Sequence, residues 1–218
     1  MDFDIQIWLQ ELTLKLLDNF NDRVKFIGIQ GSYARQEANE NSDIDVVIIL
    51  DKLSFNDLRE YKRIVKTMAY SEKACGFISG EKEIYNWPKH DLFQLLNDTI
   101  SLYGNLSDFI PEITKQDVSN AININAANLY HQLCHCCLFE NNILEVLQFG
   151  YKTAFFILQA IYYENNNEFI RSKNDLVQKL NGENKEILLV NINWNSLNVQ
   201  SNIAFYYEKL LNWTKDKI

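Results

Sequence analysis

The chain has 218 residues, 47% of them hydrophobic and 23% charged, with a formal net charge of −8. This composition fits a soluble globular protein of one or two domains with a sizeable core. The acidic balance argues against a nucleic-acid partner, which is normally held through basic patches, and suits a cationic small molecule.

Residues 3–20 place Ile5, Trp8, Leu9, Leu12, Leu16 and Leu17 at helical spacing, which predicts an amphipathic helix. The Met1-Asp2-Phe3-Asp4 start has neither the basic flank nor the apolar core of a signal peptide. No stretch approaches the roughly twenty apolar residues of a membrane span. A cytoplasmic location with no membrane partner is therefore expected.

Residues 24–30 read as a first strand, followed by the turn and short helix of Gly31-Ser32-Tyr33-Ala34-Arg35-Gln36. Residues 43–50, Asp43-Ile44-Asp45 and then an apolar run, read as a second strand. Side chains two apart in a strand share a face, so Asp43 and Asp45 should present two carboxylates side by side while Ile44 packs inward. Such a pair calls for a hard cation such as Mg²⁺. Backbone N–H groups and a hydroxyl at Gly31-Ser32 suit a phosphate.

Leu58, Tyr61, Ile64 and Met68 mark a covering helix within residues 53–70, and residues 74–79 a third strand. Gly80-Glu81-Lys82 reads as a turn and Glu83 to Trp87 as a further strand. A helix over residues 90–97 after Pro88 and a short strand at Ile100–Gly104 close this half. The composition changes near Pro111. Helical patterns then cover residues 121–139, 143–163, 168–180, 183–190 and 203–213, with Asn-rich breaks at Asn141-Asn142 and Asn165–Asn167. The expected class is α+β: a small mixed sheet with helices over residues 1–110, then an all-helical domain over 111–218.

His131, Cys134, His135, Cys136 and Cys137 fit no zinc-binding spacing, and a packed helix with a buried cysteine or two is the better reading. The crowding of three of the four cysteines does not suggest a disulfide framework.

The run G-S-x-x-R, a spacer and S-D-x-D before an apolar strand resembles the nucleotidyltransferase superfamily that includes DNA polymerase beta. Trp87-Pro88-Lys89-His90, Tyr207–Thr214 and Arg35-Gln36 are similar to segments of kanamycin nucleotidyltransferase and its relatives. The resemblance implies transfer of a nucleoside monophosphate, AMP favoured, from an NTP such as ATP to a hydroxyl of an aminoglycoside-like small molecule. It implies that Asp43 and Asp45 bind Mg²⁺, that Gly31, Ser32, Arg35 and Ser42 hold the nucleotide, and that the protein is a homodimer. The family's glutamate and lysine on one helix of the second domain fall on Gln148 and Lys152, so Lys152 is expected as a phosphate ligand. Gln148 cannot serve as a base, and Glu145, on the same helical face, takes that role. The third carboxylate of many members has no clear counterpart; Glu81 and Glu83 are the candidates. Two rival readings stand beside this one: an antitoxin-type transferase that modifies a protein, and a catalytically silent nucleotide-binding protein.

Overall fold

The computed structural model describes residues 3–140 and 142–218; Met1, Asp2 and Asn141, used above for the N-terminal reading and a helix break, lie outside them. Among the described residues the chain runs α1 (Ile5–Phe20), β1 (Val24–Gln30), α2 (Gly31–Ala34), β2 (Ile44–Leu50), α3 (Phe55–Lys66), β3 (Ala74–Gly80), α4 (Glu81–Tyr85), α5 (Lys89–Asp98) and β4 (Ile100–Tyr103). It continues through α6 (Lys115–Phe139), α7 (Ile143–Asn166), α8 (Lys173–Lys179), α9 (Gly182–Ile192) and α10 (Ile203–Lys215). No helix of these residues is long and apolar enough to cross a membrane. The class is α+β, a mixed four-stranded sheet followed by helices.

Two compact units emerge. The first joins Met1–Pro88 and Leu95–Glu112, and the second joins Lys89–Gln94 and Ile113–Ile218. In the first, the strand order is β3-β2-β1-β4. β1 pairs antiparallel with β2 and β4, whereas β2 and β3 run parallel. Ile44, Val46, Ile48 and Leu50 join one apolar cluster with Trp8, Leu12 and Leu16 of α1 and Ile64 and Val65 of α3. The alternation of β2 therefore sends Asp45 to the other face, as the sequence pattern requires. α3 begins on a capping box in which Ser54 Oγ accepts from the Asp57 N–H and the Asp57 carboxylate accepts from the Ser54 N–H. Arg23 grips that same carboxylate through two nitrogens, at 2.8 and 3.1 Å, and reaches Asp51 at 3.0 Å.

The strand expected over Glu83–Trp87 is instead the helix α4, with the expected turn Gly80–Lys82 absorbed into its start. Glu81 and Glu83 sit in its first turn, where carboxylates stabilise a helix N-terminus. Ile84 is its one buried side chain, fully enclosed.

In the helical unit, α6 starts at Lys115, six residues ahead of the pattern-based boundary, because Thr114 and Asp117 form a second capping box. Residues 168–172 are irregular, not helical. The buried Gln159 side chain donates to the carbonyls of Ile170 (2.8 Å) and Arg171 (3.2 Å) while accepting from Gln94 (3.0 Å). Ser172 then caps the shortened α8. Cys136 is buried in α6, whereas His131 and His135 share its exposed side.

Candidate active site

The register of β1 and β2 brings the two parts of the motif together. Gln30 pairs with Asp45, so the chain leaves β1 beside that carboxylate and turns at once into Gly31 and Ser32. Gly31 has φ +73°, a conformation that residues with a β-carbon rarely adopt, and a β-carbon there would lie 2.1 Å from Asp45 Oδ2. The glycine is therefore required twice over, by its backbone angle and by the carboxylate lying against it. Ser32 is half-buried at the start of α2, Asp45 half-buried in β2, and Asp43 exposed just ahead of that strand. Tyr33, the next residue of α2, packs edge-on to Phe3 with ring centroids 5.8 Å apart, and burial pushes its phenol pKa up.

The remaining expected nucleotide ligands are placed differently. The Ser42 hydroxyl accepts from the Asn39 N–H at 2.9 Å and closes the turn leading into β2. The Arg35 side chain is 5% exposed, with Nη1 2.7 Å from Asp98 Oδ2 and Nε 3.3 Å from Glu37 Oε2. In α7, Glu145, Gln148 and Lys152 are all exposed, at the spacing of one helical face.

The parallel pairing of β2 with β3 also fixes what stands next to the carboxylates. Asp45 is opposite Cys75, and Leu50 is opposite Gly80. Glu81 and Glu83 follow Gly80 and so lie at the far end of the strand from Asp45, five residue steps or about 16 Å away at strand rise. Neither supplies a third carboxylate beside Asp45. Cys75, at the neighbouring position, is exposed and borders a groove of about 410 Å³ along the edge of β3, lined also by Tyr61, Lys62, Lys66 and Phe77. Burial pushes the Tyr61 phenol up to about 12.

Among the described residues no group of three or more His, Cys, Asp or Glu side chains is placed to hold a metal ion. The Asp45 carboxylate lying against Gly31, with Asp43 exposed two residues before it, nonetheless suits Mg²⁺, which takes one or two protein carboxylates and fills its remaining positions with phosphate oxygens and water. Asp98, 63 residues beyond Arg35, was not marked as part of the site by any local sequence signal.

Residues 9–93 match the family model of the nucleotidyltransferase domain. That stretch, which holds the Gly31-Ser32 turn, Asp43 and Asp45, is similar to a nucleotidyltransferase domain. The chain is 36% identical over 67 residues to a provisionally named protein adenylyltransferase of Methanocaldococcus jannaschii, a match covering 29% of this chain. The chain spans 64% of the length of that curated relative. Outside the matched residues a fold likeness continues. A spectinomycin adenyltransferase from Enterococcus faecialis, solved with ATP and spectinomycin, superposes with a TM-score of 0.59 at 15% identity over 95% of this chain and 99% of that one. A toxin–antitoxin complex with AMP-PNP matches over 53% of this chain and 85% of that one, at 18% identity and a TM-score of 0.35, too low to bear on the fold.

Proposed function

We propose that the protein transfers AMP from ATP, with Mg²⁺, to a hydroxyl of a cationic, aminoglycoside-like small molecule. The observation that carries this reading is the contact between Gly31 and the Asp45 carboxylate, which sets a phosphate-binding turn directly against a metal ligand. Asp43 and Asp45 hold the ion, and Gly31 and Ser32 hold the triphosphate. The ion when bound supplies charge stabilisation at the transferring phosphorus. Lys152 is a phosphate ligand and Glu145 the base that takes the acceptor's proton, both roles consistent with their shared exposed face on α7. Positioning and the metal supply much of the rate in such transfers, so a weak base leaves a working enzyme. The fold likeness to the spectinomycin adenyltransferase spans nearly the whole of both chains, which favours an acceptor of that size. A cytoplasmic homodimer fits the same picture.

The 36% identity to the protein adenylyltransferase supports a second reading, in which the acceptor is a hydroxyl on a protein. One experiment separates the two. Purified protein is incubated with Mg²⁺, labelled ATP or GTP, and a panel of spectinomycin, other aminoglycosides and candidate proteins, alongside the Asp43→Asn/Asp45→Asn variant. Label on a small molecule, lost in the variant, is the expected result. Label on protein favours the second reading, and Mg·ATP binding without transfer to any acceptor favours a silent nucleotide-binding protein.

A further inference from the structure

Three backbone bonds fix the turn that abuts Asp45. The Gly31 N–H donates to Asp98 Oδ2 at 3.4 Å, the Gly31 carbonyl accepts from the Arg35 N–H at 3.1 Å, and the Ser32 carbonyl accepts from the Glu37 N–H at 2.8 Å. The Arg35 guanidinium ties these together, pairing with Asp98 at 2.7 Å on one side and with Glu37 at 3.3 Å on the other. Both partners of the shorter pair are almost sealed from solvent, Arg35 at 5% and Asp98 at 6% side-chain exposure. A charged side chain held this way is spent on its partners, and a buried carboxylate next to a phosphate turn would repel the phosphate unless a cation neutralised it.

We infer that Arg35 and Asp98 are positioning residues of the nucleotide site. Asp98 holds the Gly31 amide, and Arg35 keeps Asp98 in place while itself touching no phosphate. The pair sets the distance between the Gly31-Ser32 turn and the Asp45 carboxylate, and through it the angle at which a triphosphate meets the metal ligands. This rests on the nucleotidyltransferase reading above, and it reassigns Arg35 from ligand to scaffold.

The test compares Asp98→Asn, Arg35→Met and their combination, with Arg35→Lys as the charge-keeping variant that preserves folding. Two readouts are taken: turnover and KM for Mg·ATP, and hydrogen exchange at the Gly31 amide. A positioning pair predicts that both single variants lower kcat by about 100-fold, as expected for a reacting group displaced by about 1 Å, with KM changing much less. The double variant should be no worse than either single, Arg35→Lys should fall between wild type and Arg35→Met, and Gly31 exchange should speed up in Asp98→Asn. A direct phosphate ligand predicts the reverse: Arg35→Met raises KM, Asp98→Asn stays near wild type, and Gly31 exchange is unchanged. That outcome overturns the inference. Wild-type protein that binds no Mg·ATP would defeat the nucleotidyltransferase reading instead, and Gly31 exchange in Asp98→Asn would still decide whether the pair holds the turn.

Discussion

Replacing Gly31 with alanine tests the contact on which the site reading depends. The new β-carbon carries two separate penalties. At φ +73° an L-residue pays about 1–2 kcal/mol of backbone strain. The β-carbon also lies 2.1 Å from Asp45 Oδ2, where real contacts stay beyond 3.0 Å, so the carboxylate must retreat by about 1 Å. Asp45 Cγ and Cβ also lie close, at 3.0 and 3.2 Å, so the stability loss should be at least the strain value, a fall in Tm of about 2–4 °C per kcal/mol for a chain of this size. The cost in activity should be much larger, because about 1 Å of misplacement at a reacting centre can slow turnover about 100-fold. Gly182→Ala supplies the control. Gly182 has φ +55° with nothing within 4 Å of its would-be β-carbon, so it should show similar strain and unchanged turnover. Thermal unfolding and a pyrophosphate-release assay on both variants read the two effects separately. If Gly31→Ala turns over no more slowly than Gly182→Ala, Asp45 is not where the chemistry needs it and the reasoning fails.

Two further predictions concern stability. The Arg23 guanidinium holds the Asp57 carboxyl well below its usual range, with help from Ser54. A depressed folded-state pKa adds stability that is present above the unfolded value near pH 4 and is lost as pH falls through the folded one. Asp57→Asn should therefore cost about 2 kcal/mol at neutral pH in urea unfolding, with a gap to wild type that narrows below pH 4; a gap constant across pH would refute the assignment. In the helical unit, Gln159→Leu strands the Gln94 amide and the Ile170 and Arg171 carbonyls that the buried side chain now satisfies. It should destabilise by about 1–3 kcal/mol with the m-value unchanged, and a neutral result would mean that water replaces the amide.

What the sequence disclosed follows from how local each feature is. β1, β2 and the glycine turn were legible because the apolar runs and the turn residues lie within one short stretch, and alternation alone places Ile44 inward and Asp45 outward. The capping box at Thr114 and Asp117 was equally local and would have set the start of α6 correctly. α4 was not legible as a helix. Five residues are too few to show a helical period, and a single buried isoleucine fits a strand as well. The irregular run before α8 depends on Gln159, whose bonds to Ile170 and Arg171 reach 11 and 12 residues along the chain. The pairing of Arg35 with Asp98 and the position of Cys75 beside Asp45 were out of reach, since one spans 63 residues and the other depends on the direction in which β3 pairs.

The division of the chain has a consequence for how the protein can be taken apart or recombined. Lys89–Gln94, the first part of α5, counts with the helical unit, although it is encoded ahead of the last strand of the sheet. Phe93 stacks edge-on against Tyr163 and Phe169, at 5.1 and 5.9 Å, and Gln94 supplies the donor that Gln159 accepts. A gene fragment beginning at residue 113 would delete those partners, while a fragment ending at residue 112 would carry them without their core. The helices of the second unit therefore cannot be exchanged as a simple C-terminal cassette. A chimera that swaps them must also carry the six residues from Lys89 to Gln94, which stand 17 to 22 positions upstream of Pro111, where sequence composition suggests the junction.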